Sequence, residues 1–353
     1  MTTEDLPTPF LTVDLDVADR NIERLQRYCD KHEIALRPHV KTHKMPQLAH
    51  RQLRAGARGI ACQKLGEAEV MAEHGLEDIL ITYPLVGAEK TERFAALAAT
   101  IDIAVGADSE VVANGLSAAL AASGDSAGFL VDCDTGFGRT GVQSPTEAAD
   151  LAERVSELPG LEFEGLMTHP VLPGSGRWLR EAKREIEQRG MTVSRVSGGG
   201  TPGAFVVHES GAFTELRAGT YIYGDRRLVV GGQMTLEDCA LRVVSTVVSR
   251  PTAHRAILDA GSKTLTSDLP EGLDEMAAYG HVVEYPDAIL FRLSEEHGSL
   301  DLTSCRRIPE VGERVTIIPN HACGAVNLHD EVALHHDGRR VEISMILARG
   351  RVR

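Results

Sequence analysis

Residues 102–134 read "DIAVGADSEVVANGLSAALAASGDSAGFLVDCD", and their reading decides the fold. The stretch opens and closes on short apolar runs of strand length, "DIAVGA" and "AGFLVDCD". Between them "SEVVANGLSAALAASG" is long and Ala-rich enough for a helix. Strand, helix and strand in succession make a βαβ unit, which pairs its two strands in parallel. The same alternation runs outward in both directions. Upstream stand "IALRPHV", "RGIACQ" and "DILIT"; downstream stand "FEGLMTH", "RVSGGG" and "ELRAGTYIYG". Helical stretches such as "KMPQLAHRQLRAG", "KLGEAEVMAEHG", "PTEAADLAERVSEL" and "GRWLREAKREIEQRG" separate them. Eight such strands favour a closed (β/α)8 barrel over an open sheet.

Ahead of the first barrel strand, "DVADRNIERLQRYCDKHE" carries Ile22, Leu25 and Tyr28 at helical spacing, with Asp16 as its expected N-cap. From Leu236 onward the pattern changes. "LRVVSTVVSR", "HRAILDAG", "AILFRLS", "RVTIIPN", "EVALHH" and "RVEISMILARGRV" are strand-like with little helix between them. The expected organisation is a barrel over 12–235 and a mostly β domain over 236–353, joined by residues 1–11.

A formal net charge of -14 over 353 residues leaves no broad basic surface for nucleic acid or anionic lipid. No apolar run approaches the roughly 18 residues of a membrane span. The N-terminus, "MTTEDLPTPF", is too acidic and polar for a signal peptide. The 6 cysteines form no C-x-x-C pair, which suits reduced thiols in the cytoplasm.

Barrel active sites gather at the C-terminal ends of the strands. Those ends hold Lys41, Gln63, Thr82 with Tyr83, Arg139, His169, then "SGGGTPG" and "AGTYIYGD". The last two fill the loops after strands seven and eight, a frequent phosphate site. Their glycines let backbone N–H groups approach an anion, and Thr201 and Thr220 add hydroxyls. A lysine facing a phosphate cradle points to pyridoxal 5′-phosphate (PLP), which needs an amine and a phosphate anchor. The first strand delivers "RPHVKTHK", residues 37–44, to the same mouth. Lys41 lies at the strand end and Lys44 past it, so Lys41 is the better candidate. Arg37 and the two histidines are neighbours that could lower its pKa.

The order of "TPFLTVDLD", "RPHVKTHK", "GIACQKLGEAE", "LITYPLV", "SGGGTP", "GTYIYGD", "LDAGSKTLTSD", "SEEHG" and "PNHACGAVN" resembles the D-threonine aldolase / D-serine dehydratase family of fold-type III PLP enzymes. The resemblance spans nearly the whole chain. It implies an alanine-racemase-like architecture and a homodimer with shared active sites. Lys41 would be the Schiff-base lysine, Gln63 would lie near the ring, and Arg139 would face the ring or its nitrogen. His169 would line the pocket. Gly199, Gly200, Thr201, Gly219, Thr220 and Tyr221 would hold the phosphate. His321 and Cys323 would bind a divalent metal, zinc or manganese, with magnesium a further option. On an extended segment, residues two apart point the same way and could converge on one ion. After "MTH" the loop reads "PVLPGSGRW" and lacks the further histidine of many relatives, so a base on the β-hydroxyl must come from elsewhere.

The function so implied is a lyase acting on β-hydroxy-D-amino acids, by retro-aldol cleavage to glycine and an aldehyde. Dehydration of D-serine or 3-hydroxy-D-aspartate to a 2-oxo acid and ammonia uses the same parts. A racemase would need no metal pair and would want a second base, for which Tyr279 and Tyr285 are available.

Overall fold

The structure, a computed structural model, describes residues 2–269, 278–337 and 339–353. Contacts divide the chain into two compact units, Glu23–Gly219 with Gly350–Arg353, and Met1–Ile22 with Thr220–Arg349. The first is the barrel. Its strands are β2 (Ala35–Leu36), β3 (Ile60–Cys62), β4 (Asp78–Ile81), β5 (Asp102–Ala107), β6 (Ala127–Asp132), β7 (Leu161–Thr168), β8 (Arg195–Gly199) and β9 (Glu215–Arg217). All pair in parallel in the order β2-β9-β8-β7-β6-β5-β4-β3. A lone parallel bridge from His39 to Ala61 joins the two ends of that order. Every expected barrel strand is present. The eighth is shorter than its sequence suggests, because the chain leaves the sheet after Arg217.

Burial explains why these runs are strands: β6 is buried along its whole length. Leu80, Ala104, Leu130 and Met167, from four successive strands, pack as one cluster inside the barrel. A strand with both faces covered reads as a continuous apolar run, as β6 does.

Arg37 is fully buried in the barrel and corrects one expectation. Its Nε donates to Glu215 Oε2 at 2.8 Å, and its Nη2 to Asp78 Oδ2 at 3.1 Å. Backbone oxygens of Ile60 and Asp78 accept from the same guanidinium. Two carboxylates compensate this cation, and it does not line the pocket at the mouth. Its work is to tie β2 to β9, β3 and β4.

The second unit is built on a nine-stranded sheet. Its main path is β13 (Ile289–Leu293), β14 (Gly298–Asp301), β11 (Arg255–Leu258), β10 (Leu241–Thr252), β1 (Phe10–Asp14), β16 (Glu331–His336) and β17 (Arg339–Met345), with β15 (Arg314–Pro319) against β10 and β12 (Gly280–Val282) against β15. β1 lies inside this sheet, antiparallel to β10 and parallel to β16. More of the N-terminus therefore packs with this unit than residues 1–11. The helix that follows, α1 (Leu15–Lys31), is capped by Asp14, whose Oδ1 accepts the N–H groups of Asp16 and Val17 at 2.9 and 3.3 Å. Asp16 is not the cap; its carboxylate meets His336 Nδ1 at 2.7 Å.

Candidate active site

One pocket of the barrel unit gathers His39, Lys41, Gln63, Thr82, Asp132, Arg139, Met167, His169, Gly199 and Arg217. Six of these were expected from the sequence, Lys41, Gln63, Thr82, Arg139, His169 and Gly199, and His39 was expected as a neighbour of Lys41. Lys41 lies in a single 3-10 turn, Val40–Thr42, after the extended segment that follows β2. Its Nζ donates to Gln63 Oε1 at 3.1 Å, and Gln63 Nε2 donates to the Thr82 carbonyl at 3.3 Å. Lys44 is elsewhere. It is buried, and its Nζ pairs with Glu67 Oε1 at 3.1 Å.

The two pocket histidines differ. The Lys41 backbone N–H donates to His39 Nδ1 at 3.4 Å, which leaves the ring proton on Nε2. That Nε2 donates to Thr82 Oγ1 at 3.0 Å, and the Thr82 hydroxyl donates to the Cys62 carbonyl at 3.3 Å. Burial, with Lys41, Arg217 and His169 nearby, holds His39 well below the ordinary histidine range. Both its nitrogens are committed. His169 is also neutral, pushed down to about 3 by burial and then by Lys41, Arg217 and Arg139. Among the described residues, however, neither nitrogen of His169 has a hydrogen-bond partner. His43, the third ring of this neighbourhood, is structural. Its Nδ1 accepts from the Met45 N–H at 3.1 Å, and its Nε2 donates to Gln52 Oε1 at 3.2 Å.

Arg217 closes β9 and was not singled out from the sequence. It is 2% exposed, and its Nη2 donates to the Thr168 carbonyl at 3.0 Å. Its Nε and Nη1 are buried without a partner. Burial pulls it down to about 10, against the pull of Glu215 and Asp132, so it remains a cation at neutral pH. Arg139 lines the same pocket from an exposed position at the rim. Asp132 is the pocket's carboxylate, and its Oδ2 accepts the Thr140 hydroxyl at 2.9 Å.

The segment after β8 turns at Gly200, where φ is +107°, a region that favours glycine. It brings Thr201 inward, and that hydroxyl is buried with no partner. Gly219 passes so close to the lysine turn that an added Cβ would lie 2.7 Å from Thr42 Oγ1 and 3.0 Å from the His39 carbonyl. Thr220 and Tyr221 open the other unit. Thr220 Oγ1 lies 3.7 Å from Cys323 Sγ, and Tyr221 is buried.

Within the β unit, His321 and Cys323 come together, but not on an extended segment. His321 is the N-cap of α10 (Ala322–Leu328), and Cys323 lies in its first turn. Their side chains are hydrogen-bonded, and that bond, together with Asp268, raises His321 to about 9 against the effect of burial. Asp268 Oδ2 meets His321 Nδ1 at 2.5 Å. Buried Asp225 accepts the Ala322 N–H at 3.1 Å and fixes the start of this helix. Among the described residues no three His, Cys, Asp or Glu side chains are grouped to hold a metal ion.

Residues 13–227 match the alanine racemase N-terminal domain family, and residues 240–335 match a putative serine dehydratase domain. The chain belongs to the D-threonine aldolase / D-serine dehydratase family of fold-type III PLP enzymes. It is 32% identical to a D-threonine aldolase of an Arthrobacter species, over 97% of this chain and 93% of that one. The solved D-threonine aldolase from Filomicrobium marinum superposes with a TM-score of 0.87 at 29% identity, covering 100% of this chain and 98% of that one. The D-threo-3-hydroxyaspartate dehydratase from Delftia sp. HT23 gives 0.88 at 27% identity, covering 98% of each chain.

For this fold-type III chain, sequence reasoning missed Asp132, Arg217 and Asp268. A signal existed for two of them. Asp132 and Arg217 are charged residues closing apolar strands. Asp268 had none, since its role appears only once α10 brings His321 to it.

Proposed function

We propose that this chain cleaves β-hydroxy-D-amino acids of the D-threonine type to glycine and an aldehyde, with PLP held at Lys41 and a divalent metal held at His321 and Cys323. The observation that carries the reading is the contrast between the two pocket histidines: His39 is locked at both nitrogens, and His169 is free at both.

The residues present fit PLP. Lys41 offers the amine. Thr201 Oγ1 and Arg217 Nε and Nη1 are buried donors that find no acceptor within the protein. Such groups cost about 1–3 kcal/mol each unless something else accepts from them. Gly199, Gly200 and Gly219, with Thr220 and Tyr221, complete the proposed phosphate set. An imidazole beside a thiol fits a divalent ion, zinc first. Two protein donors leave positions for water and a substrate oxygen. The D-threo-3-hydroxyaspartate dehydratase has been solved as His-to-Ala and Cys-to-Ala mutants two positions apart, the latter metal-free. His321 and Cys323 have that spacing.

Bound here, PLP supplies an electron sink at the amino acid's α-carbon, and the metal supplies a Lewis acid for its β-oxygen. The chain's own residues do the rest. Gln63 orients the Lys41 amine. Arg217 donates into the pocket and stays charged. His169 takes the proton from the β-hydroxyl, the step for which the loop "PVLPGSGRW" offers no histidine. Burial and then Lys41, Arg217 and Arg139 depress its basicity, and an anionic cofactor would offset the share due to those charges. Asp268 orients His321 through Nδ1.

We further propose a cytoplasmic homodimer. All 6 cysteines are free thiols, as a reducing compartment would keep them. No helix among the described residues is long and apolar enough to cross a membrane. The test is incubation of the PLP- and metal-loaded protein with D-threonine. Glycine and acetaldehyde in equal amounts support the reading. Ammonia and 2-oxobutyrate would assign the dehydratase reaction instead, and L-allo-threonine alone, the product of inversion at the α-carbon, would assign racemisation.

A further inference from the structure

We infer that Glu67, gripped by Lys44, is a positioning residue: it fixes Gln63 against Lys41 and so sets the direction in which the Lys41 amine points. The inference rests on the PLP reading, because it takes Lys41 to be the lysine that PLP joins.

Two lysines of one turn hold the same residue from two sides. Gln63 Oε1 accepts from Lys41 Nζ at 3.1 Å, and the Gln63 backbone N–H donates to Glu67 Oε2 at 2.8 Å. The other Glu67 oxygen, Oε1, meets Lys44 Nζ at 3.1 Å. The backbone of the turn completes a ring, since the Lys44 N–H donates to the Val40 carbonyl at 2.7 Å. Gln63 Nε2 is committed to the Thr82 carbonyl at 3.3 Å, so Gln63 is tied through its backbone and both ends of its amide.

Local structure shows how the chain arrives at this ring. Glu67 lies in the first turn of α3 (Leu65–Glu73), whose N-cap, Lys64, makes no capping bond with its side chain. Glu67 therefore reaches back beyond the cap to the Gln63 N–H, much as the acidic residue of a capping box reaches back. Lys44 has φ +57°, a left-handed conformation that glycine adopts freely and lysine does not. Glycine would serve the turn alone better, so this position needs the lysine side chain. Lys44 is 7% exposed and Glu67 2% exposed. With both oxygens committed, the Glu67 carboxylate cannot turn away from Gln63. Without the cation it is a buried, unpaired charge that must move or take up a proton. A small displacement of Gln63 then misaligns the amine, and misalignment of a reacting group is costly in rate.

Lys44→Met and the double variant Lys44→Met/Glu67→Gln separate positioning from stability. The first leaves a buried carboxylate unpaired. The second removes that charge, so its urea midpoint should return close to that of the unaltered protein. No cation then holds the amide at position 67 in place. Both variants should therefore take up PLP at Lys41 about ten- to a hundredfold more slowly than the unaltered apo protein, followed by absorbance. The visible circular dichroism of the bound cofactor should weaken in both, and kcat should fall with KM little changed. The double variant decides the matter even where Lys44→Met does not fold. Recovery of PLP uptake and circular dichroism together with the urea midpoint in the double variant would overturn the inference, since the pair would then only stabilise the fold. Undiminished uptake by Lys44→Met would overturn it as well. Attachment of PLP to a lysine other than Lys41 in the unaltered protein would instead sink the PLP reading, and the inference with it.

Discussion

Lys41 and Lys44 stand three positions apart in one basic run, and their surroundings divide their roles. Lys44 is 7% exposed and paired with Glu67, which also accepts the Gln63 N–H at 2.8 Å through Oε2. Borohydride reduction of the PLP-loaded protein should therefore attach the pyridoxyl group to Lys41, and peptide mapping that found it on Lys44 would refute the assignment. Lys44→Met should leave Glu67 buried and unpaired at a cost of about 3 kcal/mol in urea unfolding, while PLP still binds. His43 makes a second case. Burial pushes it down to about 4, so the folded protein keeps it neutral while the unfolded chain takes up a proton near pH 6.5. Its contribution to stability is complete above pH 6.5 and is lost as pH falls from 6.5 to 4, by about 3 kcal/mol at pH 4. His43→Gln should thus flatten the pH dependence of the urea midpoint between pH 7 and 4, whatever it does to the midpoint at pH 7. An unaltered slope would show that His43 already titrates near its ordinary value. That Lys41, not Lys44, is at the strand end was legible in the sequence. That Arg37 and His43 are structural was not, because their partners Glu215, Asp78 and Gln52 are specified only by the fold.

At the scale of elements, the barrel strands were legible because strands buried on both faces read as continuous apolar runs. β12, "GHV", and β14, "GSLD", were not, since three or four residues with a glycine carry no periodic signal. The turn into α10 was hidden as well. "HAC" after "TIIPN" looks like more strand, whereas Asp225 accepts the Ala322 N–H and starts a helix there. His321 and Cys323 still converge, through cap geometry and not strand alternation. The segment after β8 carries the clearest prediction at this scale. Thr201 Oγ1 is buried and donates to nothing in the protein, so Thr201→Val should leave the apo fold as stable as before. A hydrogen bond to a charged group contributes about 1.5–3 kcal/mol, so PLP affinity should fall roughly ten- to a hundredfold. An unchanged dissociation constant, measured by titration of the apo protein, would move the phosphate away from this loop.

At the scale of the molecule, the proposed machinery divides between units that fold on different principles. Lys41, Gln63, His169, Thr201 and Arg217 belong to the barrel, and Asp268, His321 and Cys323 belong to the β unit. Within each unit the ligands are held by that unit's own contacts: Gln63 on Lys41, Asp268 on His321. Cofactor and metal should therefore load separately even though turnover needs both. Chelation should abolish release of glycine from D-threonine while the protein keeps its PLP and its absorbance near roughly 410–430 nm. Cys323→Ala should lower bound metal, measured by elemental analysis, with PLP stoichiometry maintained. Asp268→Asn should weaken metal affinity by about ten- to a hundredfold, the usual cost of losing the partner that orients a ligating histidine. It should leave the PLP dissociation constant where it was. Release of PLP on chelation, or a PLP affinity that tracked metal occupancy across these variants, would show that the two sites are built as one. Undiminished glycine release from metal-free protein would remove the metal from the reaction and leave His169 to act on the β-hydroxyl alone.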